Sequence, residues 1–279
     1  GKQASLLTYF NPASIARTIE RLTTVQPYSI DDLRLSGERW VSLDFHGDFA
    51  SRSAEQAVEQ MNHAVEQGAK ALREADTVVL TLGTAWVYRL NCEVVANCHK
   101  LPAQMFSREM MTVEEITSRL INTIENHLHS KRVVRTVSPI RHVADGLDAN
   151  SLSKAVLRVA AANVAERLEQ LSYFPSFEIM NDDLRDYRFY EADMVHPSSV
   201  AIDYIWERWC EWAIAPSAIA TMHEAERMWR AAHHRPSDPQ SEAHREFRRK
   251  MSERLDRLSM QYPDANWDDL RQFFVLNTK

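Results

Sequence analysis

Thr77-Val78-Val79-Leu80-Thr81-Leu82-Gly83-Thr84 is the stretch on which the fold class turns. Its first six residues form a continuous run of aliphatic and β-branched side chains with no helical period, the pattern of a strand covered on both faces. The run stops at Gly83-Thr84, and Val133 to Val137 repeats it before stopping at Ser138-Pro139. Between the two runs, Thr112 and Glu115 have capping-box spacing, and Val113, Ile116, Leu120, Ile124 and Leu128 share one helical face. Upstream, Ser53 and Gln56 open another helix, of about five turns, carrying Val58, Met61, Val65 and Leu72 on its buried side. Before it, Trp40 to Phe45 alternates as a half-buried strand does and ends at His46-Gly47. Asn11-Pro12 supplies a cap and a first-turn proline for a helix with Ile15, Ile19 and Leu22 on one face. Further along, the spacing predicts a helix from about Ser151 to Leu171, an extended segment around Tyr173 to Phe177, and a last core helix from Pro197. Helices alternating with buried strands predict an α/β fold with a mainly parallel sheet.

From about Pro216 strand signals disappear and the composition turns to Arg, Glu, His and Ala. Two helices are predicted there, one on Ile219, Met222, Ala225 and Trp229, the other on Phe247, Met251, Leu255 and Leu258, with a linker at 234–239. The expected organisation is therefore a main domain over residues 1–216 and a helical extension over 217–279. Such an extension packs on the main domain or on a second copy of the chain, so the C-terminal helices are where a homo-oligomer would form.

The chain has 279 residues, 44% hydrophobic and 26% charged, close to globular averages, which excludes a disordered or collagenous protein. A net charge of -6 provides no basic field for nucleic acid. Cys92, Cys98 and Cys210 are odd in number and outside any CxxC spacing, which argues against a disulfide scaffold or zinc ribbon. The longest near-apolar run, Val78 to Tyr88, is too short for a bilayer crossing of about 20 residues. No export pattern opens the sequence, and a cytoplasmic protein without a membrane partner is the expectation.

The sharpest chemical pattern is Asp193-Met194-Val195-His196-Pro197. With Pro197 in the first turn of a helix, His196 stands at that helix's start, and an Asp and a His three residues apart on such a turn can lie within hydrogen-bond reach. A carboxylate there fixes the imidazole tautomer and stabilises the imidazolium formed when His takes a proton from a nucleophile. The same spacing also fits a capping Asp beside a surface His. Gly47 and Gly83 each follow a strand signal, and glycine at the carboxyl rim of a parallel sheet lets a backbone N–H approach a developing oxyanion; each equally eases a turn. In Asn97-Cys98-His99-Lys100, Asn97 or His99 offers a donor to a carbonyl oxygen, and Cys98 a thiol beside an imidazole. In Ser138-Pro139-Ile140-Arg141-His142, Arg141 suits a substrate carboxylate or the clamping of another loop. Asp44, His46 and Asp48, with His99, Asp193 and His196, invite a metallohydrolase reading, but further tightly spaced ligand motifs are absent. No metal or cofactor is therefore expected.

These motifs, in this order, resemble the GSCFA family, a bacterial branch similar to the SGNH (GDSL-like) hydrolases. The likeness rests on Asn11-Pro12-Ala13-Ser14-Ile15, Phe45-His46-Gly47, Leu82-Gly83-Thr84-Ala85-Trp86-Val87-Tyr88 and Asn97-Cys98-His99-Lys100-Leu101-Pro102. It continues through Ser138-Pro139-Ile140-Arg141-His142, Leu184-Arg185-Asp186-Tyr187-Arg188-Phe189-Tyr190 and Asp193-Met194-Val195-His196-Pro197, covering residues 11 to 216. The resemblance implies a three-layer α/β/α sandwich with about five parallel strands. It also implies Gly47 and Gly83 facing an oxyanion, with Asp193 and His196 as acid and base of a triad. Two departures stand out. Where the wider superfamily has Asn two residues after the second of these glycines, this chain has Ala85, which leaves Asn97 or His99 to supply that donor. The naming motif Gly-Ser-Cys-Phe-Ala, whose Ser would be the nucleophile, is missing. Gly1-Lys2-Gln3 resembles the stretch just after that motif, so the nucleophile is expected on a strand preceding these residues. Ser5 and Ser14 are poor substitutes, Ser14 lying within the first predicted helix.

The expectation is a serine-type ester hydrolase forming an acyl-enzyme on a small-molecule or carbohydrate ester, for example a carbohydrate deacetylase. An acyltransferase differs only in what resolves the intermediate. A chain without the nucleophile would be a sugar- or ester-binding module.

Overall fold

The computed structural model describes residues 11–169, 171–233, 238, 241–263 and 265–274. The chain divides into two compact units, one ending at Ile205 and the other running from Trp206.

The first unit opens with α1 (Pro12–Thr24), capped by Asn11, whose side chain accepts from the Ser14 N–H at 2.8 Å. Strands β1 (Leu33–Ser36) and β2 (Arg39–Ser42) form an antiparallel hairpin. Its two-residue turn places Gly37 at a φ of 62°, a left-handed conformation that glycine adopts without a Cβ clash. The predicted strand at Trp40 to Phe45 is thus a short hairpin strand, ending three residues early and lying outside the parallel sheet. Gly47 follows it in a 3-10 turn, Gly47–Phe49, instead of ending a parallel strand.

Helix α2 (Ala54–Glu74) is capped by Ser53 and buries Ala57, Met61 and Val65 against Tyr28, Leu33 and Phe45. Then come β3 (Thr77–Leu82), the antiparallel trio β4 (Trp86–Leu90), β5 (Glu93–Val95) and β6 (Ser107–Met110), and α3 (Val113–His127) with its reciprocal Thr112–Glu115 capping box. Strand β7 (Arg132–Val137), α4 (Gly146–Ala165) and β8 (Leu171–Tyr173) follow. Among the described residues the parallel sheet has three strands in the order β3-β7-β8, with Leu82 opposite Val137. The molecule is an α/β fold with a parallel sheet and C-terminal helices, as the alternation of signals predicted, and it also has two antiparallel sheets among the described residues that those signals did not predict.

The main core joins Leu80, Leu82, Val133 and Val137 of the sheet to Ile116, Leu120 and Ile124 of α3 and Leu157, Ala160, Ala161 and Val164 of α4. Full burial of one such aliphatic side chain contributes about 1.5–3 kcal/mol. Arg135, buried in the middle of β7, donates to the Ala161 carbonyl and so fastens α4 to the strand. Strand β3 is not covered on both faces: Leu80 and Leu82 are buried, whereas Val79, pointing the other way, is 47% exposed. The continuous apolar run reads the same whether one face or two are packed, because Val and Thr suit a strand by their stiff χ1 in either case.

Helix α4 begins five residues before the predicted start and ends six before the predicted end, since the chain must turn back to enter β8. A short helical segment α5 (Ser176–Glu178) continues into a π-turn, Ile179–Asp183, and then comes α6 (Ser199–Ala213). Pro197 lies outside α6. It bridges to Tyr190, while the Ser198 hydroxyl accepts from the Ala201 N–H at 3.4 Å at the helix start.

In the second unit α7 (Pro216–His233), α8 (Glu242–Gln261) and a third helix missed in the sequence, α9 (Asp268–Phe274), bury Met228, Leu255, Leu258, Trp267, Leu270 and Phe274 together. Glu224 of α7 pairs with Arg254 of α8. Among the described residues no helix is long and apolar enough to cross a membrane.

Candidate functional site

The segment 189–198 folds back on itself: Glu191 N–H donates to the His196 carbonyl at 2.8 Å and Ser198 N–H to the Phe189 carbonyl at 2.8 Å. At the tip of this hairpin Met194 takes a φ of 58°, which turns the chain tightly enough for the Asp193 carboxylate to serve three donors. Its Oδ1 accepts from the Val195 N–H at 2.8 Å and the His196 N–H at 3.0 Å, and Oδ2 lies 2.6 Å from His196 Nδ1. The His196 backbone N–H, then the imidazole, then the Val195 N–H hold the Asp193 carboxyl down to about 2. An ionised partner on Nδ1 keeps the proton there and leaves Nε2 as the acceptor. The two side chains are 57% and 49% exposed, so the pair is open to an incoming molecule.

Arg141 holds this hairpin from outside. Its N–H donates to the Val195 carbonyl at 3.3 Å, its Nη1 to the Met194 carbonyl at 3.3 Å, and its guanidinium lies 3.9 Å from the Tyr190 ring centre. It reaches these groups from the loop after β7, at the carboxyl rim of the parallel sheet, where open α/β sheets gather ligands.

Gly83 is on the same rim, at the end of β3, and a residue that carries no motif in the sequence ties it to the Arg141 loop. Lys154 of α4 is 2% exposed and donates to the Gly83 carbonyl at 2.6 Å and the Ser138 carbonyl at 2.7 Å. Burial pushes its amine down to about 7. Two more residues on the same face of α4 complete the fastening: Ser153 Oγ accepts from the Ala85 N–H at 2.8 Å, and Asn150 Oδ1 from the His142 N–H at 2.8 Å. His142 is pushed down to about 4 by burial and by the Lys154 and Arg108 charges, so it is neutral at ordinary pH.

Asn97, His99 and Gly47 form a second group. The Asn97 side chain accepts from the His99 N–H at 3.0 Å, the His99 ring lies 2.7 Å from the Ser42 carbonyl, and Asn97 N–H donates to the Leu43 carbonyl at 2.9 Å. Burial lowers the His99 pKa. These bonds brace the loop that leads to Gly47, and the one to the Ser42 carbonyl engages the His99 ring nitrogen, whereas the Asn97 side chain uses only its oxygen in them. Burial also raises the Cys98 pKa, which disfavours the thiolate a nucleophile needs.

Asp44 accepts from Arg17 at 3.0 Å and from the Tyr28 hydroxyl at 3.2 Å, while His46 faces Asp48 at 3.1 Å. Among the described residues no group of three or more His, Cys, Asp or Glu side chains is gathered to hold a metal ion. Ser14 is buried within α1, and Ser5, with the rest of residues 1–10, lies outside the described residues.

Residues 2–209 match the GSCFA family, and residues 225–275 match the GSCFA domain protein C-terminal domain. No curated protein and no solved structure matches the chain. With well over half of its length inside the first match, the chain belongs to the GSCFA family.

Proposed function

We propose that the protein is a serine-type ester hydrolase of the SGNH kind, acting on a small O-acyl substrate such as an acetylated carbohydrate. The observation that carries this reading is the 2.6 Å contact between His196 Nδ1 and an Asp193 carboxylate that two backbone N–H groups also orient. The nucleophile in this reading is a serine hydroxyl from outside the described residues. Its proton passes to His196 Nε2 as its oxygen bonds to the ester carbonyl carbon, giving a tetrahedral oxyanion. Collapse breaks the bond to the alcohol oxygen, which leaves with the proton from Nε2. Water then attacks the acyl-enzyme, giving its proton to Nε2; the carboxylic acid departs and the serine regains its proton. Asp193 keeps Nδ1 protonated throughout, and Arg141 holds the hairpin that carries both residues.

The test is labelling of the full-length protein with a fluorophosphonate probe, alongside hydrolysis of p-nitrophenyl acetate. His196→Ala is expected to lower both at least about 1000-fold. Equal labelling of wild type and variant would remove His196 from the role, and loss of hydrolysis to a chelator with recovery on adding divalent ions would replace the serine mechanism by a metal one.

A further inference from the structure

Two carbonyls at the sheet rim converge on one buried amine, and the geometry says what that does to the neighbouring N–H. In a parallel ladder with Leu82 opposite Val137, the Ser138 N–H donates to the Leu82 carbonyl, as it does here at 2.8 Å. The next rung would carry the Thr84 N–H to the Ser138 carbonyl. That carbonyl is instead held by Lys154 Nζ at 2.7 Å, and among the described residues no acceptor meets the Thr84 N–H. The orientation comes from peptide planarity. The Gly83 carbonyl points at Lys154 Nζ from 2.6 Å, and a trans peptide sets the following N–H antiparallel to it, so the Thr84 N–H points away from α4 and its core. The Thr84 side chain is fixed as well, its hydroxyl 3.2 Å from Ser153 Oγ and accepting from the Trp86 N–H at 3.1 Å.

We infer that the Thr84 backbone N–H is a donor to the ester's developing oxyanion, and that Lys154 is the positioning residue that ends the β3–β7 ladder and frees it. This rests on the hydrolase reading above. It also supplies a replacement for the side-chain donor lost where this chain has Ala85: Ser153 fixes the Ala85 N–H, and the donor moves one residue back, onto the backbone. The buried amine adds a donor dipole, or a positive charge when protonated, behind the loop on which negative charge would gather.

The experiment uses the full-length protein with p-nitrophenyl acetate turnover and hydrogen exchange at the Thr84 amide. Lys154→Met is expected to lower kcat about 100- to 1000-fold with KM within about threefold, the loss typical of one oxyanion donor. It is also expected to slow Thr84 exchange at least about tenfold, as the rung to the Ser138 carbonyl closes. Should that variant not fold, Thr84→Pro removes the N–H directly; its kcat is expected about 100-fold below that of Thr84→Val, which loses the hydroxyl and keeps the N–H. Thr84→Pro turnover within threefold of Thr84→Val, or a folded Lys154→Met with unchanged kcat, would overturn the inference even if His196→Ala is inactive. Wild-type turnover by His196→Ala would instead remove the hydrolase reading and the oxyanion role together.

Discussion

Lys154 makes the stability of this protein depend on pH in a window where most buried groups are silent. In the unfolded chain its amine has an ordinary lysine pKa of 10.5, whereas burial brings it down to about 7 in the fold. The sign comes from proton counts. Between these values the unfolded state holds a proton that the folded state has lost, so stability rises with pH, by about 1.4 kcal/mol per unit once the folded amine is neutral. Integrated from pH 7.5 to 9.5, the rise is about 2.5 kcal/mol. The groups facing the amine do not blur this: the Gly83 and Ser138 carbonyls do not titrate, and His142 is already neutral above about 4. In Lys154→Met the rise is absent, while the Gly83 carbonyl loses its donor at a pH-independent cost of about 1–3 kcal/mol and the Ser138 carbonyl takes the Thr84 N–H in place of the amine. Denaturant unfolding of wild type and Lys154→Met at the two pH values measures the difference, in which titrations common to both chains cancel. Stability profiles that run parallel from pH 7.5 to 9.5 would refute the reasoning and place the ammonium, not the amine, between the carbonyls.

Asp193→Asn retains an oxygen for the Val195 and His196 N–H groups but presents an NH2 to His196 Nδ1. The ring must then protonate on Nε2, and p-nitrophenyl acetate turnover should fall about 1000- to 10,000-fold with the fold intact by circular dichroism; a loss below tenfold would mean that the tautomer is not set by Asp193. In wild type the Asp193 carboxyl should remain ionised as pH falls through 3.8 and protonate only near about 2, so any stability it adds is present above 3.8 and lost towards 2. Its carbon chemical shift reads this directly, and a midpoint near 4 would show that the three donors do not hold it. In the second unit, Leu255→Ala opens a cavity in the joint core of α7, α8 and α9 and should cost about 2–5 kcal/mol, measurable as earlier thermal unfolding of that unit.

What the sequence could show of this molecule was whatever a local pattern determines. The boundaries of α2 and α3 could be placed from Ser53 and Thr112, because a cap acts within three residues of itself. The Asp193–His196 contact was legible for the same reason: three residues and one left-handed turn suffice to close it. Where an outcome depended on which segment a residue pairs with, its own pattern misled. Trp40 to Phe45 alternates correctly for a strand, but its partner is the hairpin strand β1, set by a Gly37-Glu38 turn that carries no hydrophobic signal. Pro197 suits a first helical turn, yet its place is taken by pairing with Tyr190, and α6 begins after Ser198.

Lys154 shows why the rest was out of reach. On a helix whose other positions bury Leu157, Ala160 and Ala161, a lysine reads as part of the solvated face, since an unpaired ammonium is costly to bury. Its burial makes sense only once Gly83 and Ser138, 71 and 16 residues away, bring two carbonyls to the same point. Asn150, Ser153 and Lys154 are spaced by three and four, so one face of α4 meets both loops of the rim. A helix that fixes both loops this way shares one arrangement between them, and a change at its polar face should reach Gly83 and, through Arg141, the hairpin bearing His196.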